Sequence, residues 1–298
     1  MRTIGPYVVA ALVLVALLRR YRLDDIVAAM RAGHALSVLP VALGFSVIQI
    51  FVVSAWDTII LRSILPQLRY FDVLRVKAGC AVLQAIAYLA NQGAYGTWIA
   101  RAVGVGVRNA AALVVLTWAS DFVGGTLLIT ACIYLGHADV PFFVRVAAPL
   151  GAVTTSFVIL ALPRRPLDPH EESGVIRVWQ SIPRARVGVQ MVGRVFNAGM
   201  LGGATWVAAR AFGLTIPFSI MIVYVPIVFA IGGLPLSVGG FGAVQGAWLL
   251  FLPWASGPQL LAFQFIWSVA LMLSQIARGA PFVRRVIAEV AAAKLEAR

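Results

Sequence analysis

The chain has 298 residues, of which 61% are hydrophobic and only 12% are charged. Long apolar runs with so few charges are typical of membrane-spanning helices and exclude an ordinary soluble globular domain. The net charge of +13 is therefore expected in cytoplasmic loops and beside anionic lipid headgroups. For the same reason we do not expect this protein to bind nucleic acid.

Eight apolar segments follow one another along the chain, and most reach the roughly 20 residues that a membrane-spanning helix needs. The first is short but has no small-residue cleavage site after it, so we expect it to stay attached rather than to be removed as a signal peptide. The segments predict an all-α polytopic membrane protein with about seven to eight transmembrane helices in a single integral membrane domain, residues 1–298. Its two halves, about 35–162 and 187–280, could form a repeat. The segments are residues 4–18, 35–61, 78–100, 110–135, 143–162, 187–209, 214–233 and 258–277.

Arginines and lysines predict the orientation. Five arginines lie in residues 163–186 and more basic residues follow in the tail, residues 281–298, whereas residues 136–142 contain no Lys or Arg. The positive-inside rule then places the 163–186 loop and the C-terminus in the cytoplasm of a multi-pass inner (plasma) membrane protein. The first third stays open, because RRYRLDDIVAAMRAGH and RSILPQLRYFDVLRVK are both basic and flank one segment. A re-entrant segment 78–100 would let both of its flanking loops be cytoplasmic.

A Gly- and Pro-rich stretch, GGLPLSVGGFGAVQGAWLLFLPW at residues 232–254, interrupts the apolar sequence. An unsatisfied backbone group in hydrocarbon costs several kcal/mol, so irregular backbone at membrane depth must be buried in protein or line a polar cavity. We therefore expect residues 235–254 to form a re-entrant or broken element whose glycines let a ligand approach the backbone. Close helix packing through small residues is the alternative.

The motif PLSVGGFGAVQG resembles the signature of the lysylphosphatidylglycerol synthase transmembrane-domain family, which are flippase-like integral membrane proteins. That signature reads Pro-x-Ser-x-Gly-Gly-x-Gly-x-Arg-Glu-Gly, with Val244 and Gln245 here in place of its arginine and glutamate. Upstream, NQGAYGTWIARAVGVGVRNAAALVVLTWASD is similar to the family's Gly-rich turn and following helix, with Arg101 and Asp121 on the family's arginine and aspartate. The signature positions that match are Pro235, Ser237, Gly239, Gly240, Gly242 and Gly246.

Ionisable and amide side chains inside membrane helices are candidates for a substrate site, because they are costly at that depth. Asp121 lies about midway along its segment, and Arg101 is its candidate partner. We expect Asp57 and Arg62 to form an interfacial pair. A structural hydrogen bond between helices is the alternative for each candidate. The predicted substrate-binding residues are Asn91, Arg101, Asp121, Arg194, Asn197, Ser237, Gly239, Gly240, Gly242 and Gln245.

Two glycines, Gly199 and Gly203 in NAGMLGGATW, have the GxxxG spacing of close helix packing, within one chain or between chains of a homo-oligomer. These features and the resemblance favour a flippase-like lipid translocator for an amphipathic lipid with a polar, anionic or glycosylated headgroup. We expect no catalytic residue, metal or cofactor, since no metal-ligand cluster or nucleophile motif occurs. A non-catalytic accessory or scaffold subunit of an envelope-lipid pathway is the alternative. A lipid-modifying transferase is less favoured, because the namesake activity belongs to a soluble domain that we do not expect here.

Overall fold

The computed structural model describes residues 5–84, 88–136, 140–165, 175–233, 237–238 and 241–296, which are helical apart from one pair of two-residue strands. The helices are α1 Gly5–Arg20, α2 Leu23–Ala32, α3 Ala35–Leu61, α4 Tyr70–Gln84, α5 Tyr88–Val103, α6 Val107–Leu135, α7 Phe142–Ala161, α8 Val175–Ser181, α9 Arg184–Phe212, α10 Phe218–Gly233, α11 Ala243–Ala247 and α12 Gly257–Glu296. The strands are β1 Ser237–Val238 and β2 Phe241–Gly242, and a 3₁₀ turn covers Trp248–Phe251.

Four helices are long and apolar enough to cross a membrane: α3, α6, α7 and residues Gly257–Arg284 of α12. The bounds of α3 match the predicted segment 35–61, and the other three lie on predicted segments. α9 has 29 residues and so has the length of a spanning helix, but Gln190, Arg194 and Asn197 make it less apolar. The total of seven to eight spans stays a prediction.

The buried apolar side chains form two separate cores along the helix bundle. The first core contains the N-terminal half of α3, the C-terminal parts of α6 and α9, and all or part of α1, α2, α10 and α11. The second core contains the C-terminal end of α3, the N-terminal parts of α6 and α9, and buried residues of α4, α5 and α8. Because α3, α6, α7, α9 and α12 contribute to both, the two cores occupy opposite ends of these long helices.

The apolar segment 78–100 is two helices rather than one. α4 has 15 residues and α5 has 16, so each is about 23 Å long, which is less than the ~30 Å of a hydrocarbon core. The ammonium nitrogen of Lys77 lies 4.9 Å from the centre of the Tyr95 ring, although each residue is about two helical turns from the break between the helices. α4 and α5 therefore fold back on each other as a hairpin in the second core.

The chain turns back a second time after α10. In the described part of residues 235–254, Ser237 pairs with Gly242 in an antiparallel register and α11 follows directly, so no continuous helix runs through this stretch. A Cβ at Gly232 would lie only 2.9 Å from the side chain of Val244, which shows how closely α10 and α11 approach. This element packs against α1 and contributes to the first core, at the opposite end from the α4–α5 hairpin.

Helix α9 lies between α3 and α6, and glycines outside the predicted pair allow its close approach. A Cβ at Gly193 would come within 2.2 Å of the Trp56 ring on α3, and a Cβ at Gly124 of α6 would lie 2.5 Å from the α9 backbone. Gly203 faces open space, and Gly199 has its nearest neighbour at 4.0 Å. The GxxxG pair therefore does not provide the close packing inside this chain.

Replacement of Gly193 by Ala should destabilise the fold by about 1–3 kcal/mol, because the added methyl group overlaps a rigid aromatic ring. Gly203→Ala is the matched control on the same helix, and it should be neutral or up to about 1 kcal/mol stabilising, since Ala is the better helix former. Thermal unfolding of both variants in one detergent measures the difference. Equal melting temperatures for the two variants would contradict this packing of α9 against α3.

Candidate functional site

A buried carboxylate, Asp57 of α3, is at the centre of an ion network that joins five helices. Its side chain is 1% exposed and forms ion pairs with Lys77 of α4 and Arg194 of α9. The Tyr95 hydroxyl of α5 donates a hydrogen bond to Asp57 Oδ2 over 3.2 Å. Every hydrogen-bonding partner is needed here, because an uncompensated charge in a low-dielectric interior is strongly destabilising.

The predicted interfacial pair between Asp57 and Arg62 is wrong. Arg62 directs its Nε–H to the backbone carbonyl of Leu68, 2.9 Å away, and so holds the turn between α3 and α4. Asp57 lies on the face of α3 that packs against α9, next to Trp56, whose ring contacts Gly193. Because Arg194 directly follows Gly193, this contact places Asp57 and Arg194 at the same level along the two helices.

Arg194 bridges two carboxylates on two different helices. One terminal nitrogen pairs with Asp57, and the other donates to Asp121 Oδ1 of α6 over 3.0 Å, while the Arg194 side chain stays 3% exposed. The planar guanidinium suits this double role, because its donors point in fixed, diverging directions. Gly124, one turn after Asp121, removes the Cβ that would otherwise strike the Arg194 backbone. The glycine therefore sets the distance at which this ion pair forms.

Two further donors of the guanidinium, on Nε and NH2, are satisfied by Gln190, one turn before Arg194. With its amide oxygen facing the guanidinium, Gln190 accepts from Arg194 Nε at 3.0 Å and donates to the Trp56 carbonyl at 3.0 Å. This orientation is better than the reverse, in which the amide nitrogen reaches Asp57 only at 3.5 Å. Asp57, Asp121, Lys77 and Arg194 together carry two negative and two positive charges, so the network is neutral.

Asp121 is the most exposed charged residue of this network. It lies at the middle of α6, and its side chain is 43% exposed, whereas Asp57 and Arg194 are almost fully enclosed. Oδ1 of Asp121 accepts the bond from Arg194, and Oδ2 has no hydrogen-bond partner among the described residues. A carboxylate that faces hydrocarbon at this depth would be costly, so the open side of Asp121 requires water or a polar ligand.

The other predicted site residues of the first half and of α9 have different surroundings. The structure gives Asp121 the partner Arg194 instead of the expected Arg101, which is exposed near the end of α5. Asn91 of α5 is half-buried. Asn197 follows Arg194 by one helical turn, and its Oδ1 is buried without a hydrogen-bond partner in the described structure. Asn197 is therefore the predicted residue best placed to extend the network along α9.

The described part of the glycine motif packs with the first core through Val244 of α11, whereas the ion network borders the second core, which contains Tyr95. Ser237 and Gly242 are paired across the two strands, and Gln245 of α11 is 5% exposed. Gly239 and Gly240 lie outside the described residues. The sequence prediction therefore joined two sets of residues that the fold places in different halves of the bundle.

Four members of the network, Asp57, Lys77, Tyr95 and Gln190, were not among the predicted site residues. Lys77 looked like a loop residue, because it precedes the apolar segment 78–100, but α4 begins at Tyr70 and carries it inside the bundle. The sequence signal that could have identified Lys77 was the charge balance of the apolar segments. Each carboxylate far inside a membrane helix needs a cation at a similar depth in the membrane.

No family model matches this sequence, and no curated protein matches it. The resemblance to the lysylphosphatidylglycerol synthase transmembrane-domain family therefore depends on the quoted motifs alone.

Asp57→Asn should destabilise the protein by about 3–5 kcal/mol, because it leaves the buried Lys77 without its partner and halves the pairing of Arg194. Asp121→Asn should cost about 1 kcal/mol, because this side chain is half exposed and Arg194 keeps Asp57. Asp72→Asn, which removes an exposed carboxylate 4.0 Å from Arg75, is the control and should change little. Melting temperatures in detergent test this ranking, and an Asp57→Asn variant as stable as Asp72→Asn would contradict it.

Proposed function

We propose that this protein is a flippase-like lipid translocator, which moves an amphipathic lipid with a polar or anionic headgroup between the leaflets without changing it chemically. The observation that supports this most directly is the half-open Asp121, held by a buried arginine at the middle of a helix long enough to span a membrane. Charged groups at that position are retained where a polar substrate or ion passes.

The two turned-back elements support a transport pathway. The α4–α5 hairpin and the α10–α11 element contribute to opposite cores, and each is built from helices of 16 residues or fewer. We interpret both as re-entrant segments that enter the membrane from opposite sides. Such opposed broken helices, with a polar layer between them, are a recurring construction of transporters that open alternately to each side. One element lies in each predicted half, 35–162 and 187–280, which favours the repeat.

In this interpretation the headgroup crosses the polar layer between the two cores while the acyl chains stay in the bilayer. Asp121 Oδ2 and the amide of Asn197 would contact the headgroup, since both are polar and lack a complete set of partners. Arg194 holds Asp121 in place through its ion pair, and its own charge is shared between Asp121 and Asp57. The headgroup therefore meets fixed dipoles and charges instead of hydrocarbon.

We further propose that the end of the bundle with α8 and the second core faces the cytoplasm of the inner (plasma) membrane. Arg164 and Arg184 both lie at this end, where they donate to backbone carbonyls of the last turn of α7, Ile159 at 3.3 Å and Leu160 at 3.0 Å. Cations at a helix C-terminus complement its dipole, and cytoplasmic ends of membrane helices are rich in arginine.

A non-catalytic scaffold subunit is the second candidate function. It is favoured by the neutrality of the ion network, which satisfies itself without a ligand, and by the substitution of the motif's arginine and glutamate by Val244 and Gln245. A lipid-modifying transferase has no comparable observation in its favour.

Transport by purified protein in lipid vesicles separates the first two candidates. Asp121→Asn should slow the movement of a fluorescent phospholipid between leaflets about tenfold, because the headgroup loses a charge-assisted hydrogen bond at the middle of its path. Asp121→Glu should recover part of the rate, and Asp72→Asn should match the unmodified protein. The signal is the fraction of labelled lipid that an impermeant quencher reaches with time.

The scaffold function predicts a different result. The unmodified protein would then move lipid no faster than empty vesicles, and Asp121→Asn would change neither the rate nor the fold. Either of these outcomes with correctly folded protein would refute the translocator.

Cysteine labelling tests the orientation. In a variant with Cys80 and Cys132 replaced by Ala, a cysteine introduced by Ser173→Cys in the 163–186 loop should react with a membrane-impermeant maleimide only after the cells are opened. A cysteine introduced by His137→Cys in the loop without Lys or Arg should react in intact cells. The reverse pattern would place the arginine-rich loop outside the cell.

A further inference from the structure

A third cation, Arg278 of α12, is partly buried and lies outside the neutral ion network. Its NH1 contacts the backbone carbonyl of Ser46 on α3, and its Nε is buried without a hydrogen-bond partner in the described part of the chain. No described carboxylate forms an ion pair with it. The guanidinium therefore contributes one positive charge that the described structure does not neutralise, which is costly in a membrane-spanning helix.

The residue that Arg278 touches supplies a second polar atom without a partner. Ser46 is 1% exposed, and its hydroxyl oxygen is buried with no hydrogen bond in the described structure. A serine in a membrane helix usually donates to a carbonyl one turn earlier, as Ser274 does to Ala270 over 2.7 Å. A free guanidinium donor and a free hydroxyl thus lie beside each other, between α3 and α12.

The Arg278 side chain points toward a neighbouring helix and not toward the membrane surface. Long basic side chains near helix ends direct their charged group toward the headgroups. Arg278 instead reaches Ser46, which lies near the middle of the 27-residue α3. α12 also approaches α4 very closely there, since a Cβ at Gly279 would lie 2.3 Å from the Ala78 carbonyl oxygen. The residue of α4 before Ala78, Lys77, is a cation, and its carboxylate partner is already shared with Arg194.

We infer that Arg278 and Ser46 form a subsite for the phosphate of an anionic phospholipid, between α3 and α12. The inference deepens the proposed translocator and rests on it, because it assigns the phosphate of the carried lipid to this position. Arginine binds phosphate oxygens through two parallel hydrogen bonds, and the serine hydroxyl supplies a third donor. A single negative charge would neutralise the guanidinium, and phosphate offers acceptors for both unsatisfied groups.

The surface beside this subsite suits the acyl chains of such a lipid. Large apolar side chains within five residues of Ser46 on α3 and of Arg278 on α12 are exposed, so a lipid that places its phosphate between these helices can lay its chains along their outer faces. These residues are Leu43, Val47, Ile48 and Phe51 of α3 and Leu273 and Ile276 of α12. A free phosphate ion gains nothing from this apolar surface, which favours a lipid as the source of the phosphate.

Binding to purified protein in a neutral detergent tests the subsite without any transport. Dioleoylphosphatidylglycerol should raise the melting temperature in a saturable manner, whereas dioleoylglycerol, which has the same chains and no phosphate, should not. Arg278→Gln should weaken binding of the phospholipid about tenfold, and Ser46→Ala about threefold. Arg284→Gln and Ser274→Ala are the matched controls, because they change an exposed arginine of the same helix and a serine whose hydroxyl already has a partner.

The lipid-free melting temperature separates binding from folding. Arg278→Gln removes an unneutralised, partly buried charge, so its lipid-free protein should be as stable as the unmodified one or more stable. A large loss of stability in that variant would show a structural role and overturn the subsite. Unchanged affinity of Arg278→Gln for the phospholipid, or equal stabilisation by dioleoylglycerol, would overturn it as well. Equal stabilisation by inorganic phosphate would show a soluble anion site and overturn the assignment to lipid.

These outcomes are independent of the transport assay. A protein that binds phosphatidylglycerol through Arg278 but moves no lipid would keep the subsite and refute the translocator. If the unmodified protein moves lipid and the Arg278→Gln variant binds and transports lipid normally, the translocator is kept and the subsite is refuted. Arg278→Lys, which keeps the charge but not the planar fork, should bind with intermediate affinity.

Discussion

The cost of a charge in hydrocarbon governs the centre of this structure. Arg194 lies in an α-helix between two spanning helices, and the fold can hold it there only because Asp57 on one side and Asp121 on the other share its charge. This requirement fixes the distances between α3, α9 and α6, and Gly193 and Gly124 make those distances attainable. The positions of these helices and the pairing of their charges are thus specified by the network residues and by glycines within one helical turn of them.

The two apolar cores and the polar residues between them give the bundle a layered organisation. Each core is closed at its own end by an element that turns back, α4–α5 at one and α10–α11 at the other. Between the cores lie the ion network and, on α12, Arg278 with its contact to α3. The proposed path for a headgroup follows this middle layer, where irregular and polar groups are shielded from lipid by the long helices.

The sequence predicted what depends on local pattern, and it failed where partners come from distant helices. The bounds of α3, the break in residues 235–254, and the positions of Asp121 and Arg194 inside long helices follow from hydropathy and glycine content. The partner of Asp57 could not be read in the same way, because Arg62 is near in sequence while Arg194 is near only after α9 packs on α3. For the same reason the spacing of Gly199 and Gly203 could not show that they lie away from the close helix contacts inside this chain.

The two ion pairs of the Arg194 guanidinium also affect which helices can move relative to each other. Its inner bond to Asp57 is enclosed and reinforced by Gln190 and Tyr95, whereas its outer bond to Asp121 is single and half exposed. Sliding of α6 along α9 would break the single outer ion pair, whereas separation of α3 from α9 would break the enclosed one. We therefore expect α6 to shift relative to α9 more readily than α3 does, with the shift occurring along the α6–α9 contact at Gly124.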